Sequence, residues 1–143
     1  MFDFTDKSVL DIGSDIGSTA IFFLMNGAKF IYLYDINKNY KATYNRLKNQ
    51  AYHNEIFCHS SWLDKNELLS PNADILKMDC EGCELLLLSD SFLEKYEEFA
   101  IALHRPPLDS YQFEKFRRLL EHHDGKYYGS VNNEEFLWLK ISK

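Results

Sequence analysis

Short apolar runs alternate with longer stretches of helical period along this chain. The runs at 8–12, 30–34, 55–58, 73–78 and 99–103 are four to six residues long, and most are rich in Ile, Leu, Phe and Tyr. Runs of that length and composition read as strands buried on both faces of a parallel sheet. The segments between them carry a different period. Residues 18–26 are apolar almost all round and stop at Gly27, which predicts a helix buried against the sheet. Asn37 is a capping residue type, and Tyr40, Tyr44 and Leu47 follow at helical spacing up to about residue 51. A further helix is expected from about Cys83, and a short one near 92–96. Arg105-Pro106-Pro107 breaks the chain, after which 110–122 places Phe113, Phe116, Leu119 and Leu120 on one helical face. Asp124-Gly125 is a turn. Residues 126–131 and 135–141 read as a closing hairpin around Asn132-Asn133. Five β/α steps and a terminal hairpin predict an α/β fold.

Composition narrows the picture. A length of 143 residues fits one domain, 1–143. With 45% hydrophobic and 27% charged residues, the chain is too apolar for a disordered one. The 16 basic and 22 acidic side chains give a net charge of −6, which argues against binding nucleic acid by charge alone. The longest apolar run, 20–25, falls far short of the roughly 18 residues a membrane helix needs. The first six residues show no secretory signal, so the expectation is a cytoplasmic chain with no membrane partner. Three cysteines are an odd count and make no disulfide framework; Cys80 and Cys83 read as two small buried thiols.

Two segments carry chemistry. The first is Val9-Leu10-Asp11-Ile12-Gly13-Ser14-Asp15-Ile16-Gly17-Ser18. A strand enters, glycines permit a tight turn, and a helix leaves, so the helix N-terminus faces a crevice at the strand ends. A dinucleotide fingerprint wants glycine at the places held here by Asp15 and Ser18. Acids at Asp11 and Asp15 suit a cationic ligand better than a diphosphate. S-adenosylmethionine, with a sulfonium, an amino group and no phosphate, is such a ligand. Asp35 ends the second strand 22 residues after Gly13, the distance at which a carboxylate accepts from the ribose hydroxyls of an adenosine cofactor. The expected donor contacts are Asp11, Gly13, Ser14, Asp15, Ile16, Gly17, Asp35, Ile36 and Asp79.

The second segment is Lys77-Met78-Asp79-Cys80-Glu81-Gly82-Cys83-Glu84. It puts carboxylates at the carboxyl end of a central strand, where α/β sheets place their chemistry. Lys77 and Asp79 are two residues apart and share a strand face. Glu81 and Glu84 also suit the start of the next helix. His104 ends the fifth strand at the same edge and is a candidate base, because imidazole titrates near neutrality.

Together these two segments resemble the FkbM family of S-adenosylmethionine-dependent methyltransferases, whose second motif typically reads Lys-Ile-Asp-Val-Glu-Gly-Ala-Glu. The resemblance covers nearly the whole chain in element order and is specific in these two segments. It implies the Rossmann-like class I methyltransferase fold: a seven-stranded sheet, mostly parallel, with an antiparallel last strand and helices on both faces. It also implies methyl transfer to an oxygen of a sugar, glycan or other small molecule. Lys77, Asp79, Glu81, Gly82 and Glu84 match the signature, and Asp79, His104, Lys77 and Glu81 are the candidate catalytic residues. The chain departs from the pattern at Cys80 and Cys83, where small apolar residues are usual, and at Ala102-Leu103-His104, where the family often has Glu-x-His. It also begins about seven residues before its first strand, whereas relatives carry a covering segment there. The pocket is therefore expected to be open, closed by a partner or a second copy, or built for a large substrate.

Other readings compete. Ala102 motivates a non-catalytic donor-binding or scaffold subunit. A nicotinamide oxidoreductase shares the fold class and is disfavoured by Asp15 and Ser18. Cys80-x-x-Cys83 lacks the second pair that a structural zinc wants, and no metal is expected.

Overall fold

The computed structural model describes residues 2–14, 17–35, 42, 45, 47, 55–59 and 72–141. For 55–59 only the backbone is described. Seven strands form one sheet: β1 (Ser8–Ile12), β2 (Phe30–Tyr34), β3 (Glu55–His59), β4 (Ile75–Met78), β5 (Glu98–His104), β6 (Lys126–Val131) and β7 (Glu135–Lys140). Their order is β3-β2-β1-β4-β5-β7-β6. Every pair from β3 to β5 is parallel, and β7 runs antiparallel between β5 and β6. The helices described over their full span are α1 (Ser18–Met25), α2 (Glu84–Leu87), α3 (Asp90–Leu93) and α4 (Ser110–His122).

Strand alternation sorts the apolar residues into two cores. Leu10, Ile12, Leu76, Met78, Phe99, Ile101 and Leu103 point to one face, where Leu87, Phe92, Phe116 and Leu120 of α2, α3 and α4 meet them. Val9, Ile31, Leu33 and Ile75 point to the other, against Ala20, Phe23 and Leu24 of α1. Helices on both faces explain why the central strands are apolar runs rather than alternating ones. Leu47, at the helical spacing noted above, is buried in the second core.

The element boundaries differ from expectation where side chains intervene. β4 starts at Ile75 rather than residue 73 because Asp74 is otherwise engaged. Its Oδ2 accepts from Ser8 N at 2.7 Å and from Ser8 Oγ at 2.8 Å. α3 starts at Asp90 rather than near 92 because Ser89 caps it, accepting from Phe92 N at 3.3 Å. α4 matches its expected span and is locked by an Asp109–Gln112 capping box. The closing hairpin forms, with Asn132 and Asn133 at φ 52° and 58°, the left-handed backbone that asparagine tolerates. The helix expected at 37–51, and Asp15, Ile16 and Ile36, lie outside the fully described residues. Among the described residues, no helix is long and apolar enough to cross a membrane.

Phe99 is fully buried in the larger core. Phe99→Ala is expected to lower unfolding free energy by about 3–5 kcal/mol. Urea denaturation of the two chains measures the difference.

Candidate functional site

The order of the sheet reverses between β1 and β4: β2 lies outside β1 on one side and β5 outside β4 on the other. The chain segments leaving the carboxyl ends of β1 and β4 therefore part, and a crevice opens between them. Its floor is a close backbone contact. A Cβ on Gly13 would lie 1.8 Å from the Asp79 carbonyl oxygen, and Gly13 has φ 80°. Only glycine meets both conditions. Asp79 N donates to Ile12 O at 2.9 Å, so the turn after β1 and the end of β4 are joined on both sides of this contact.

Below the turn sits Asp11, with no exposed surface. Its Oδ2 accepts from Thr19 Oγ1 of α1 at 2.5 Å, and its Oδ1 lies 2.9 Å from Lys77 Nζ. Lys77 is the register partner of Asp11 on β4 and also donates to the Gly13 carbonyl at 2.7 Å. Burial pushes the Asp11 carboxyl above the usual range, and the Lys77 ammonium opposes that push. This corrects two sequence expectations. Strand alternation turns Asp11 toward α1, so it braces the loop from beneath and adds no open negative charge to the crevice. The Lys77 amine is engaged in the same brace, and its charge also acts on Asp79.

Three described amides of the turn are also engaged. Gly13 N and Ser14 N both donate to Tyr34 O, at 2.8 and 3.3 Å, and Gly17 N donates to Ser14 O at 2.8 Å. These bonds fasten the turn to the end of β2, next to half-buried Asp35. Ser14 itself is buried. Gly17, at φ 80°, precedes α1 without a side-chain cap.

Across the crevice lie Asp79, His104 and Glu84. Glu84 is fully buried at the start of α2, and His104 is buried at the end of β5. His104 Nδ1 meets Glu84 Oε1 at 2.7 Å and its Nε2 meets Asp79 Oδ1 at 3.3 Å. Glu84 Oε2 accepts from Gly82 N at 2.5 Å. Asp79 keeps 45% of its side chain exposed. The hydrogen bonds to Asp79 and then Glu84 push the His104 pKa up to about 10. The bond from His104 holds Asp79 below the usual carboxylate range. At neutral pH the ring therefore carries both protons. With both nitrogens bonded to carboxylates, the ring acts here as a donor, whereas the sequence offered it as a base. Exposed Glu81 stands beside the cluster at φ 44°.

Cys80 and Cys83 form a disulfide across this loop, with Cα atoms 5.6 Å apart. That corrects the reading of two free thiols: the single turn between them brings the cysteines within bridging reach. Glu84 and Thr19 were the residues that motif reading underweighted. A glutamate starting the apolar stretch 84–88, and a threonine eight residues past Asp11, were the available signals. A separate groove is lined by Ser89, Asp90, Tyr111, Lys115, Arg118 and His122, and shares no residue with the crevice.

No family model matches the chain. It is 34% identical over 149 residues to uncharacterized protein 158B of Sulfolobus islandicus rod-shaped virus 1, spanning 97% of this chain and 84% of that one. The chain belongs to the family of that viral protein. It is also 34% identical over 103 residues to uncharacterized protein 65 of a Sulfolobus islandicus filamentous virus, covering 71% of this chain and 62% of that relative, less than two thirds of its length. Among solved structures, the chain resembles fibrillarin of Aeropyrum pernix with natively bound S-adenosyl-L-methionine (TM-score 0.69, 13% identity, 99% of this chain and 69% of that one). It also resembles an rRNA methylase of Streptococcus thermophilus (TM-score 0.65, 17% identity, 98% and 90% covered). Magnesium protoporphyrin IX methyltransferase of Synechocystis PCC 6803 with bound SAM is similar too (TM-score 0.65, 14% identity, 96% and 70% covered). At such identities these likenesses establish the fold, which is that of the class I S-adenosylmethionine-dependent methyltransferases.

Two predictions follow from the cluster. His104 holds a proton when folded that it loses near pH 6.5 when unfolded, so folding takes up protons in between. Stability is full below about pH 6.5 and falls as pH rises through about 10. The urea midpoint should decline over that window and flatten in His104→Asn. Thiol titration of the denatured, unreduced chain should find one free thiol, since two of the three cysteines are bridged.

Proposed function

We propose that the chain is an S-adenosylmethionine-dependent methyltransferase whose donor lies along the β1–α1 turn, from Gly13 to Gly17. One observation carries the reading: the described amides of the turn, at Gly13, Ser14 and Gly17, donate to backbone carbonyls of the protein itself. A diphosphate cradle needs such amides pointing outward. A sulfonium nucleoside does not, and the carboxylates of Asp35 and Asp79 at the crevice suit its positive charge. The residues present therefore fit the donor. Gly13 lets the turn close onto the Asp79 carbonyl, and Asp35, directly after β2, is the carboxylate proposed for the ribose hydroxyls, with Ile36 next in sequence. Asp15 and Ile16 complete the expected contacts. The donor, when bound, supplies a methyl group already activated on sulfur.

The acceptor side is Asp79 with Glu81. Asp79 is the exposed carboxylate of the cluster and is held ionised by the His104 imidazolium. It accepts a hydrogen bond from the acceptor hydroxyl and orients it, and the hydroxyl proton passes on to solvent as the new bond forms. Alignment by a braced backbone is the larger contribution. The Lys77-to-Glu84 signature of the FkbM family supports an oxygen acceptor on a sugar or small molecule, and a single domain over 1–143. A second reading, a donor-binding subunit without turnover, is favoured by Ala102, which puts a methyl group where the family often has an acid.

Isothermal calorimetry tests the donor site. S-adenosylmethionine and its demethylated product should bind, NADH should not, and Asp35→Ala should weaken donor binding about 10-fold or more. Binding of NADH in place of the sulfur nucleosides would overturn the reading. Transfer of labelled methyl to any hydroxyl acceptor would exclude the non-catalytic alternative.

A further inference from the structure

We infer that Glu84 is a positioning residue: its buried carboxylate grips Gly82 and His104 together, and through the His104 ring it sets the carboxylate of Asp79 at the crevice. The inference rests on the methyltransferase reading only for what Asp79 does there, not for the arrangement itself.

The position of Glu84 has a simpler explanation that the geometry does not support. An acid in the first turn of a helix commonly faces the helix dipole. α2, however, is a single turn of four residues, a weak dipole. The carboxylate reaches instead to Gly82 N, which precedes the helix, and to His104, 20 residues along the chain on β5. Glu84 thus crosslinks the loop after β4 to the end of β5. Isolated burial of an ionised carboxylate is costly, and here a strong amide bond and a cationic ring compensate it.

The same loop is constrained at other points. Asp79 N is held by Ile12 O, and Cys80 is bridged to Cys83. Between them Glu81 and Gly82 take left-handed backbone, φ 44° and 123°, and a Cβ on Gly82 would lie 3.3 Å from Pro107 Cγ. With its backbone fixed in this way, the loop leaves the Asp79 side chain one main freedom, rotation into the crevice. His104 Nε2 removes it by donating to Oδ1. The ring can donate there while its Nδ1 also donates only because Glu84 accepts from Nδ1. The other charged groups nearby are Lys77 on β4, whose ammonium also acts on Asp79, Glu135, the register partner of His104 on β7, and Arg105, the next residue. Among the charged groups the structure describes, Asp79 and Glu84 are the ones in contact with the ring.

NMR of the ¹⁵N-labelled imidazoles tests this on the whole chain. In the wild type, His104 should carry both protons at pH 7. In Glu84→Gln, which keeps an acceptor for Gly82 N, its midpoint should fall by about one unit or more. In Asp79→Asn, at an exposed position, the ring should keep both protons at pH 7 because Glu84 still holds it. If the methyltransferase reading is right, Glu84→Gln should also lower kcat about 10-fold while the KM for S-adenosylmethionine stays within about twofold. A neutral ring in the wild type at pH 7, an unmoved midpoint in Glu84→Gln, or a ring neutralised by Asp79→Asn would each overturn the inference. Should Glu84→Gln fail to fold, the wild type and Asp79→Asn still decide it. Failure of the donor reading looks different: the wild type binds no S-adenosylmethionine, and the His104 spectra remain as described.

Discussion

The contact between Gly13 and the Asp79 carbonyl constrains everything around it. Two strands that run parallel and adjacent must send their chains apart at their carboxyl ends, yet here the backbones touch just beyond those ends. That contact persists because it is bonded from several directions. Ile12 accepts from Asp79, Tyr34 accepts from Gly13 and Ser14, and Lys77 reaches from β4 to the Gly13 carbonyl. The buried Asp11–Lys77 pair lies directly under the turn. Buried pairs of this kind give little net stability, because desolvation offsets attraction, but removing one partner strands a charge. The pair therefore acts as a register pin between β1 and β4 and a support for the turn, more than as a source of folding energy.

From that fixed floor the two halves of the crevice differ in kind. The β1 side is made largely of backbone, with the described amides engaged, Asp11 buried beneath and Asp35 half-buried beside it. The β4–β5 side is made of side chains, with two carboxylates sharing one imidazolium. A doubly bonded ring next to a half-exposed aspartate keeps that aspartate ionised and oriented without neutralising the crevice. The cost of burying Glu84 falls on the interior of the fold, where the Gly82 amide and His104 offset it, and the reactive edge keeps an open carboxylate.

Much of this was legible in the sequence because the relevant signals are local. Five short apolar runs, a glycine turn after the first and an acid at the end of the second specified the parallel core and the crevice. The Asn132-Asn133 turn specified the hairpin that inserts β7 antiparallel. What the sequence concealed was partnership across the sheet. Asp11 looks like a ligand-facing acid until its register partner is known to be Lys77. His104 looks like a base until two carboxylates, 20 and 25 residues away in sequence, converge on its ring. Cys80 and Cys83 gave no sign of pairing in a chain with an odd cysteine count, because the pairing depends on how tightly the loop turns.

Those corrections bear on ligand choice more than the motifs do. The glycine pattern alone separates a dinucleotide from a sulfur nucleoside only by the two positions at which it fails. The turn's bonding separates them by mechanism. For Gly13 and Ser14 to face a phosphate, Tyr34 would have to give up both donors, and the turn would come away from β2 and from Asp35. Those bonds tie the described part of the turn to the end of β2. A cationic, phosphate-free nucleoside asks for neither change. It needs the turn as it stands, with carboxylates at the crevice on both sides, and that demand matches the part of the fold that is most heavily braced.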